Sequence, residues 1–170
     1  MSTTDIVELV VLIVLLILSA FFSSAETAIS SVNRVKVRAM AEEGKKHAGA
    51  LNKIYDNYDR ALTTILIGNN IVNLSASSLT TILAIRLFGN VYVSVATGVL
   101  TFLVLIFGEI VPKTWARRKA DRLSLAIAPI IRGMMTVLFP IVFVIQNVAR
   151  FFLFIGSKGF QWWQWSARAR

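Results

Sequence analysis

Apolar residues run from Ile6 to Phe22, interrupted only by Glu8 and Ser19, and end in the small polar string Ser23-Ser24-Ala25-Glu26-Thr27. At about 1.5 Å per residue this run covers most of a roughly 30 Å hydrocarbon core, and residues 23 to 33 complete the crossing. A second apolar stretch, 61 to 85, is sprinkled with Thr, Ser and Asn and ends at the short Arg86-to-Asn90 connection, where a Gly-Asn pair signals a turn. The third, Val91 to Phe107, leads into Gly108-Glu109-Ile110-Val111-Pro112-Lys113. The pattern predicts three membrane-spanning helices over about 6–30, 61–85 and 91–116.

Residues 124 to 155 are apolar enough for another span but are broken by Pro129, Arg132, Gly133, Pro140 and Arg150. Sending 134 to 155 across alone would leave Lys158, Arg168 and Arg170 outside, against the rule that cationic loops stay cytoplasmic. A bent pair of helices at the cytoplasmic face is therefore expected over about 124–155, with a full transmembrane hairpin as the alternative. In the 151–170 tail, Trp162, Trp163 and Trp165 beside Arg168 and Arg170 have the composition of an interfacial anchor. The alternative is a tail exposed by truncation of a longer protein.

Composition agrees with a bilayer as solvent: 56% of the 170 residues are apolar and 16% are charged, below the ~25% usual for soluble domains. The net charge of +9 is concentrated between the apolar runs, in Arg34, Lys36, Arg38, Lys45, Lys46, Lys53 and Arg60, and again in Lys113, Arg117, Arg118, Lys119 and Arg122. By the positive-inside rule the N-terminus faces outward and the segments 34–60 and 113–122 are cytoplasmic, in a multi-pass protein of the cell membrane. Anionic inner-leaflet lipid is then a sufficient partner for the cations, and nucleic acid is not expected. The N-terminus carries Asp5 and Glu8 and no Lys or Arg, unlike a signal peptide.

With no cysteine and one histidine, His47, disulfide frameworks, thiolate sites and imidazole-rich sites are excluded. No Ser/His/Asp or paired-Asp arrangement lies within the spans, so an enzyme is not expected. What requires explanation is polar chemistry in oil. Glu26 and Glu109 sit within or at the end of apolar spans, where a charge costs several kcal/mol unless it faces a cavity, a partner or an ion. Helical period places Asn70, Asn73 and Ser77 on one stripe of the second span, with Asn69 and Ser75 toward its flanks. This stripe reads either as helix-to-helix glue or as part of a site. Ser23 and Ser24 have the same ambiguity, since a serine can bond back to the carbonyl one turn earlier. Pro112 has no N–H for the carbonyl of Gly108, which leaves an acceptor free beside Glu109. Hydroxyl, amide, carbonyl and carboxylate oxygens together suit Mg2+, Ca2+ or Na+ rather than zinc or copper.

Three of these segments occur in a recognisable order. Phe21-Phe22-Ser23-Ser24-Ala25-Glu26-Thr27-Ala28, then Leu66-Ile67-Gly68-Asn69-Asn70-Ile71-Val72-Asn73, then Phe107-Gly108-Glu109-Ile110-Val111-Pro112-Lys113 resemble the transmembrane domain of the CNNM/CorC family of magnesium transporters, over roughly residues 5 to 150. The resemblance implies an all-α membrane protein with a transmembrane domain over 1–150. It implies a homodimer with three spans per subunit, cytoplasm-side helices forming a belt, and an inward-facing acidic cavity that binds largely dehydrated Mg2+. It further implies Mg2+ export coupled to Na+ entry. Carried over by position, the ion ligands would be Ser23 or Ser24, Asn70, the Gly108 carbonyl and Glu109, with Asn73 and Glu26 in supporting roles. The regulatory CBS-pair domains of full-length members have no counterpart in this sequence. The alternative is a non-transporting interaction protein in which the polar stripe fastens helices and Glu109 pairs with Lys113, one turn away.

Overall fold

The computed structural model of the chain describes residues 3–152, and among them every regular element is a helix. Three helices are long and apolar enough to cross a membrane: α1 (Thr3–Ser31), α4 (Tyr58–Phe88) and the composite helix Asn90–Arg118. The last comprises a short 3-10 turn, α5 (Val93–Leu103), a π-helical segment (Val104–Ile110) and α6 (Val111–Arg118). Between the first two spans lie α2 (Arg34–Glu42) and α3 (Ala48–Asp56). After the third come α7 (Ala120–Val137) and α8 (Phe139–Phe152), bent by 75° relative to each other. The expected tryptophan anchor at Trp162, Trp163 and Trp165 lies outside the described residues.

The spans are not amphipathic in the manner of soluble helices. Along the first half of α1, Ile6, Val7, Val10, Ile13, Val14 and Ile17 are all exposed, which only a hydrocarbon solvent makes favourable. The chain is an all-α, multi-pass membrane protein. Its apolar core is concentrated at one end of the bundle, where Ala25, Ala28 and Ile29 of α1 meet Val37 and Met40 of α2, Leu51 and Ile54 of α3, Ile65 of α4 and Ile131 of α7.

Helices α1 and α4 form the most extensive pairing, and small residues make it possible. On α4 the buried positions Ala61, Thr64, Ile65, Gly68, Val72, Ala76 and Thr80 form one stripe at helical spacing. Gly68 is the closest approach: a Cβ there would stand 2.5 Å from the ring of the buried Phe22. At the far end of the hairpin, Gly89 at φ 81° closes α4 in a conformation that favours glycine. There Arg86 reaches back to α1, 3.2 Å from Asp5 and 3.0 Å from Glu8, so the cation at this end of the second span is matched by the two carboxylates of the N-terminus.

Polar links hold the opposite end. Asn33 caps α2 by accepting from the Val35 N–H at 2.9 Å. Arg34 pairs with Asp56 at 2.9 Å, and Lys36 pairs with Asp121 of α7. Tyr55 is buried and its hydroxyl lies 2.5 Å from the carbonyls of both Ile29 and Val32, with its single proton shared between them where α1 ends and intrahelical donors run out.

At the α7–α8 break, Pro140 falls in the first turn of α8, where its missing N–H does least harm. Arg60 donates to the Met135 carbonyl at 3.0 Å and lies 4.1 Å from the ring centroid of Phe139, so it bonds to both sides of the bend.

Burial, and to a smaller degree the neighbouring Tyr58, push the Tyr55 phenol up from 10.0 to about 12. The folded state therefore holds this proton more tightly than the unfolded state. The resulting stabilisation is complete below about pH 10 and is lost as pH rises through about 12. Tyr55→Phe is expected to cost about 1–3 kcal/mol at neutral pH. Above about pH 10 its melting temperature should fall less steeply than that of the parent. Parallel pH profiles would contradict the assignment.

Candidate cation site

The third span does not continue as a uniform α-helix into Pro112. Over Val104–Ile110 it widens to π-helical pairing, with the Val111 N–H donating to the carbonyl of Ile106, five residues back. Pro112 then falls in the first turn of α6, where the helix tolerates it. The Gly108 carbonyl, which the sequence marks as lacking its usual donor, lies inside the widened turn. Such π-segments recur at functional sites because they rotate side chains out of the regular helical register.

Gly108 is buried against α1. A Cβ at this position would stand 2.9 Å from the Ser19 hydroxyl and 3.4 Å from its Cβ, so glycine is what allows the serine face of α1 to approach the π-segment. The next residue, Glu109, lines a cavity of about 200 Å³ together with Asn73 and Ser77 of α4 and Thr101 of α5. The segment thus packs Gly108 against Ser19 of α1, and its next residue opens on this cavity. Glu109 makes no ion pair among the described residues, and Lys113 is instead 3.3 Å from Glu26. That bond ties α6 to α1 and places Glu26, half-exposed, outside the cavity wall.

The side-chain oxygens of this region are unusual for what they do not do. Ser30, Thr63, Thr64, Thr80, Thr81, Thr101 and Thr114 all donate to the carbonyl four residues earlier, which is how hydroxyls in apolar helices are ordinarily satisfied. Ser19 and Ser23 are completely or almost completely buried and have no hydrogen-bond partner at all. The side-chain oxygens of Asn69 and Asn73 are likewise buried and unpaired. Interhelical fastening through these amide oxygens is therefore not what the structure shows. Each such group forfeits about 1–3 kcal/mol of desolvation, a cost that a bound cation would offset.

Of the expected ligand set, the structure puts Asn73 and Glu109 on one cavity, with Gly108 beside them and Ser23 buried and unpaired in α1. Ser24 is half-buried, and Asn70 is exposed on the surface of this chain. Ser77, Thr101 and Ser19 join the region without having been singled out as ligands. For Ser19 the signal was present, since it lies one helical turn before Ser23 on the same face. Among the described residues no three His, Cys, Asp or Glu side chains cluster as a metal site, so a cation here would depend on neutral oxygens around one carboxylate.

A cleft between α4 and the π-turn of the third span, with a carboxylate, an amide and two hydroxyl residues among its apolar lining, defines the class: a membrane protein with unsatisfied oxygens inside its helical bundle. The sequence matches the family model described as the cyclin M (CNNM) transmembrane N-terminal domain over residues 10–161, and the chain belongs to that family. It is 40% identical over 137 residues to a UPF0053 protein of Haemophilus influenzae, covering 81% of this chain and 33% of the relative. It is 38% identical over 133 residues to the UPF0053 inner membrane protein YfjD of Escherichia coli, covering 78% and 31%. A chloroplastic DUF21 domain-containing protein of Arabidopsis thaliana is 38% identical over 143 residues, covering 84% and 22%. The chain thus spans about a third or less of the length of these relatives.

Gly108→Ala is expected to destabilise by about 1–3 kcal/mol, because the new methyl meets a buried serine. Combining it with Ser19→Ala should recover most of that loss. Gly98→Ala, where a Cβ would meet nothing within 4 Å, should be neutral or stabilising. Thermal melts in one detergent compare all four proteins, and equal effects at positions 98 and 108 would show that the close approach is not real.

Proposed function

We propose that the chain is the membrane core of a divalent-cation transporter whose cargo is Mg2+, exported in exchange for Na+ entry. The observation that carries this reading is the placement of Glu109 and Asn73 on one cavity, the Asn73 oxygen being buried and unpaired like those of Ser19, Ser23 and Asn69 on α1 and α4. Membership of the CNNM family supports it, as does the donor chemistry. Mg2+ prefers six oxygens at about 2.1 Å and gives up its waters reluctantly, so it requires fixed oxygens rather than a loose polar lining.

In this reading Glu109 supplies the principal charge and Asn73 an amide oxygen. The π-turn presents the Gly108 carbonyl, and the hydroxyl of Ser23, with Ser19 behind it, completes the shell from α1. Alternating access then requires α1 to move against the π-segment, opening the site first to one side and then to the other. The basic segments 34–60 and 113–122 mark the cytoplasmic side, so the Arg86–Asp5–Glu8 cluster closes the outer end. Asn70, exposed between the exposed Leu66, Ile71 and Leu74, is explained by a homodimer in which a second copy covers this surface of α4.

Glu109→Gln keeps the volume and removes the charge. In proteoliposomes it is expected to lower Mg2+ flux at least about tenfold, the equivalent of about 1.4 kcal/mol in binding, while the melting temperature without Mg2+ changes little. The parent should also be stabilised saturably by Mg2+ and not by a matched ionic strength of a large inert salt. Retained flux in Glu109→Gln would overturn the site assignment. Flux that is indifferent to replacing Na+ with a large organic cation would remove the coupling alone.

A further inference from the structure

A second polar region lies away from the ion pathway, at the junction of α3, α4 and α7. A cavity of about 220 Å³ there is lined by Lys53, Asn57, Arg60 and Arg132, together with Asp56 and Thr136. The carboxylate of Asp56 is already engaged by Arg34 at 2.9 Å, which leaves Lys53, Arg60 and Arg132 in excess. A neighbouring cavity of about 360 Å³ shares Asp56, Asn57 and Arg60 and adds Gln146 and Arg150 together with one carboxylate, Asp59.

Two independent features mark this place as built for an anion. The guanidinium of Arg60 uses one terminal nitrogen on the Met135 carbonyl, but its Nε is buried and has no acceptor. A guanidinium N–H is never without a proton, so a buried one is left wanting an acceptor, and beside Lys53 and Arg132 an anionic acceptor is the one the local charge favours. The N-terminus of the 31-residue α4 opens at the same point, and its cap residue Asn57 makes no side-chain bond to the first turn. Free N–H groups and the positive end of the helix dipole add to the same field.

We propose that this junction binds the phosphate of an anionic phospholipid, gripped by Arg60 with Lys53 and Arg132. A lipid is favoured over a free phosphate by what surrounds the cavity. Phe139, whose ring lies under Arg60, is exposed, and Phe143 and Val144 of α8 with Ile130 and Val137 of α7 extend the exposed apolar surface along the same two helices, suited to acyl chains. Arg60 spans the α7–α8 bend, so an occupied site would brace that bend through the same side chain. The site stands apart from the transport reading, since none of its residues lines the Glu109 cavity.

The test uses the purified chain in a neutral detergent, melted with added phosphatidylglycerol, phosphatidylcholine or inorganic phosphate at matched ionic strength. Phosphatidylglycerol is expected to raise the melting temperature saturably by at least about 3 °C, and phosphatidylcholine to raise it by less than half as much. Lys53→Gln with Arg132→Gln, both exposed positions, should abolish the difference without lowering the lipid-free melting temperature. Arg60→Lys keeps the charge but loses the Nε donor and should weaken the protection. Native mass spectrometry supplies a second readout, with phosphatidylglycerol retained on the parent and lost from the double variant. Equal protection by both lipids, or full protection of the double variant, would overturn the proposal. An equal effect of millimolar inorganic phosphate would overturn the lipid assignment in favour of a free-phosphate site.

Discussion

An oxygen atom buried among apolar helices must find a donor, or a cation, to replace the water it has lost. Several hydroxyls in this protein, Thr64 and Thr80 among the buried ones, meet that requirement locally, by bonding to the carbonyl one turn back. Ser19, Ser23, Asn69 and Asn73 do not. Their oxygens lie on the packing faces of α1 and α4, and the only carboxylate on the adjoining cavity, Glu109, is itself without an ion pair among the described residues. The rest of the architecture packs the helices that carry these groups: glycine at 68 and 108 for close approach, a π-turn to absorb Pro112, and a tightly packed core at the basic end of the bundle.

The two glycines act at different places on α1. Gly68 admits the ring of Phe22, so that α4 and α1 can lie close together, and Gly108 admits the Ser19 hydroxyl, so that the third span can reach the same helix one turn earlier. One helix is thereby packed against both of the others through residues 19 to 29, the stretch in which α1 changes from exposed and apolar to buried and polar. The Glu26–Lys113 pair and the Tyr55 cap hold the end of this stretch in register.

The three spans were legible because a membrane leaves long apolar runs that water-soluble folds do not contain, and Gly89 marked the hairpin turn at which α4 stops. A bent pair over 124–155 was legible from the prolines, glycine and arginines that interrupt it, although the place and angle of the bend were not. The candidate site was read in outline. Glu109, Asn73 and Gly108 could be named because a carboxylate, an amide and a freed carbonyl have no cheap place in lipid. The widening of the helix could not be read, since period counting assumes a regular helix and a π-turn shifts every residue after it. The partner of Lys113 was equally hidden. Spacing on one helix offers Glu109, whereas the packing of α1 against α6 supplies Glu26, and only tertiary structure decides between them. Ser77 and Thr101 enter the cavity wall for the same reason.

The most direct measurement is crystallographic, with Mn2+ in place of Mg2+ so that the ion identifies itself by anomalous scattering. If the unpaired oxygens form the site, one strong peak appears between Glu109 and Asn73, with oxygen ligands at about 2.1–2.2 Å and a serine hydroxyl of α1 in the shell. If Mn2+ settles only on surface carboxylates while these serines and asparagines bond to neighbouring helices, the buried oxygens are structural and the cation site does not exist.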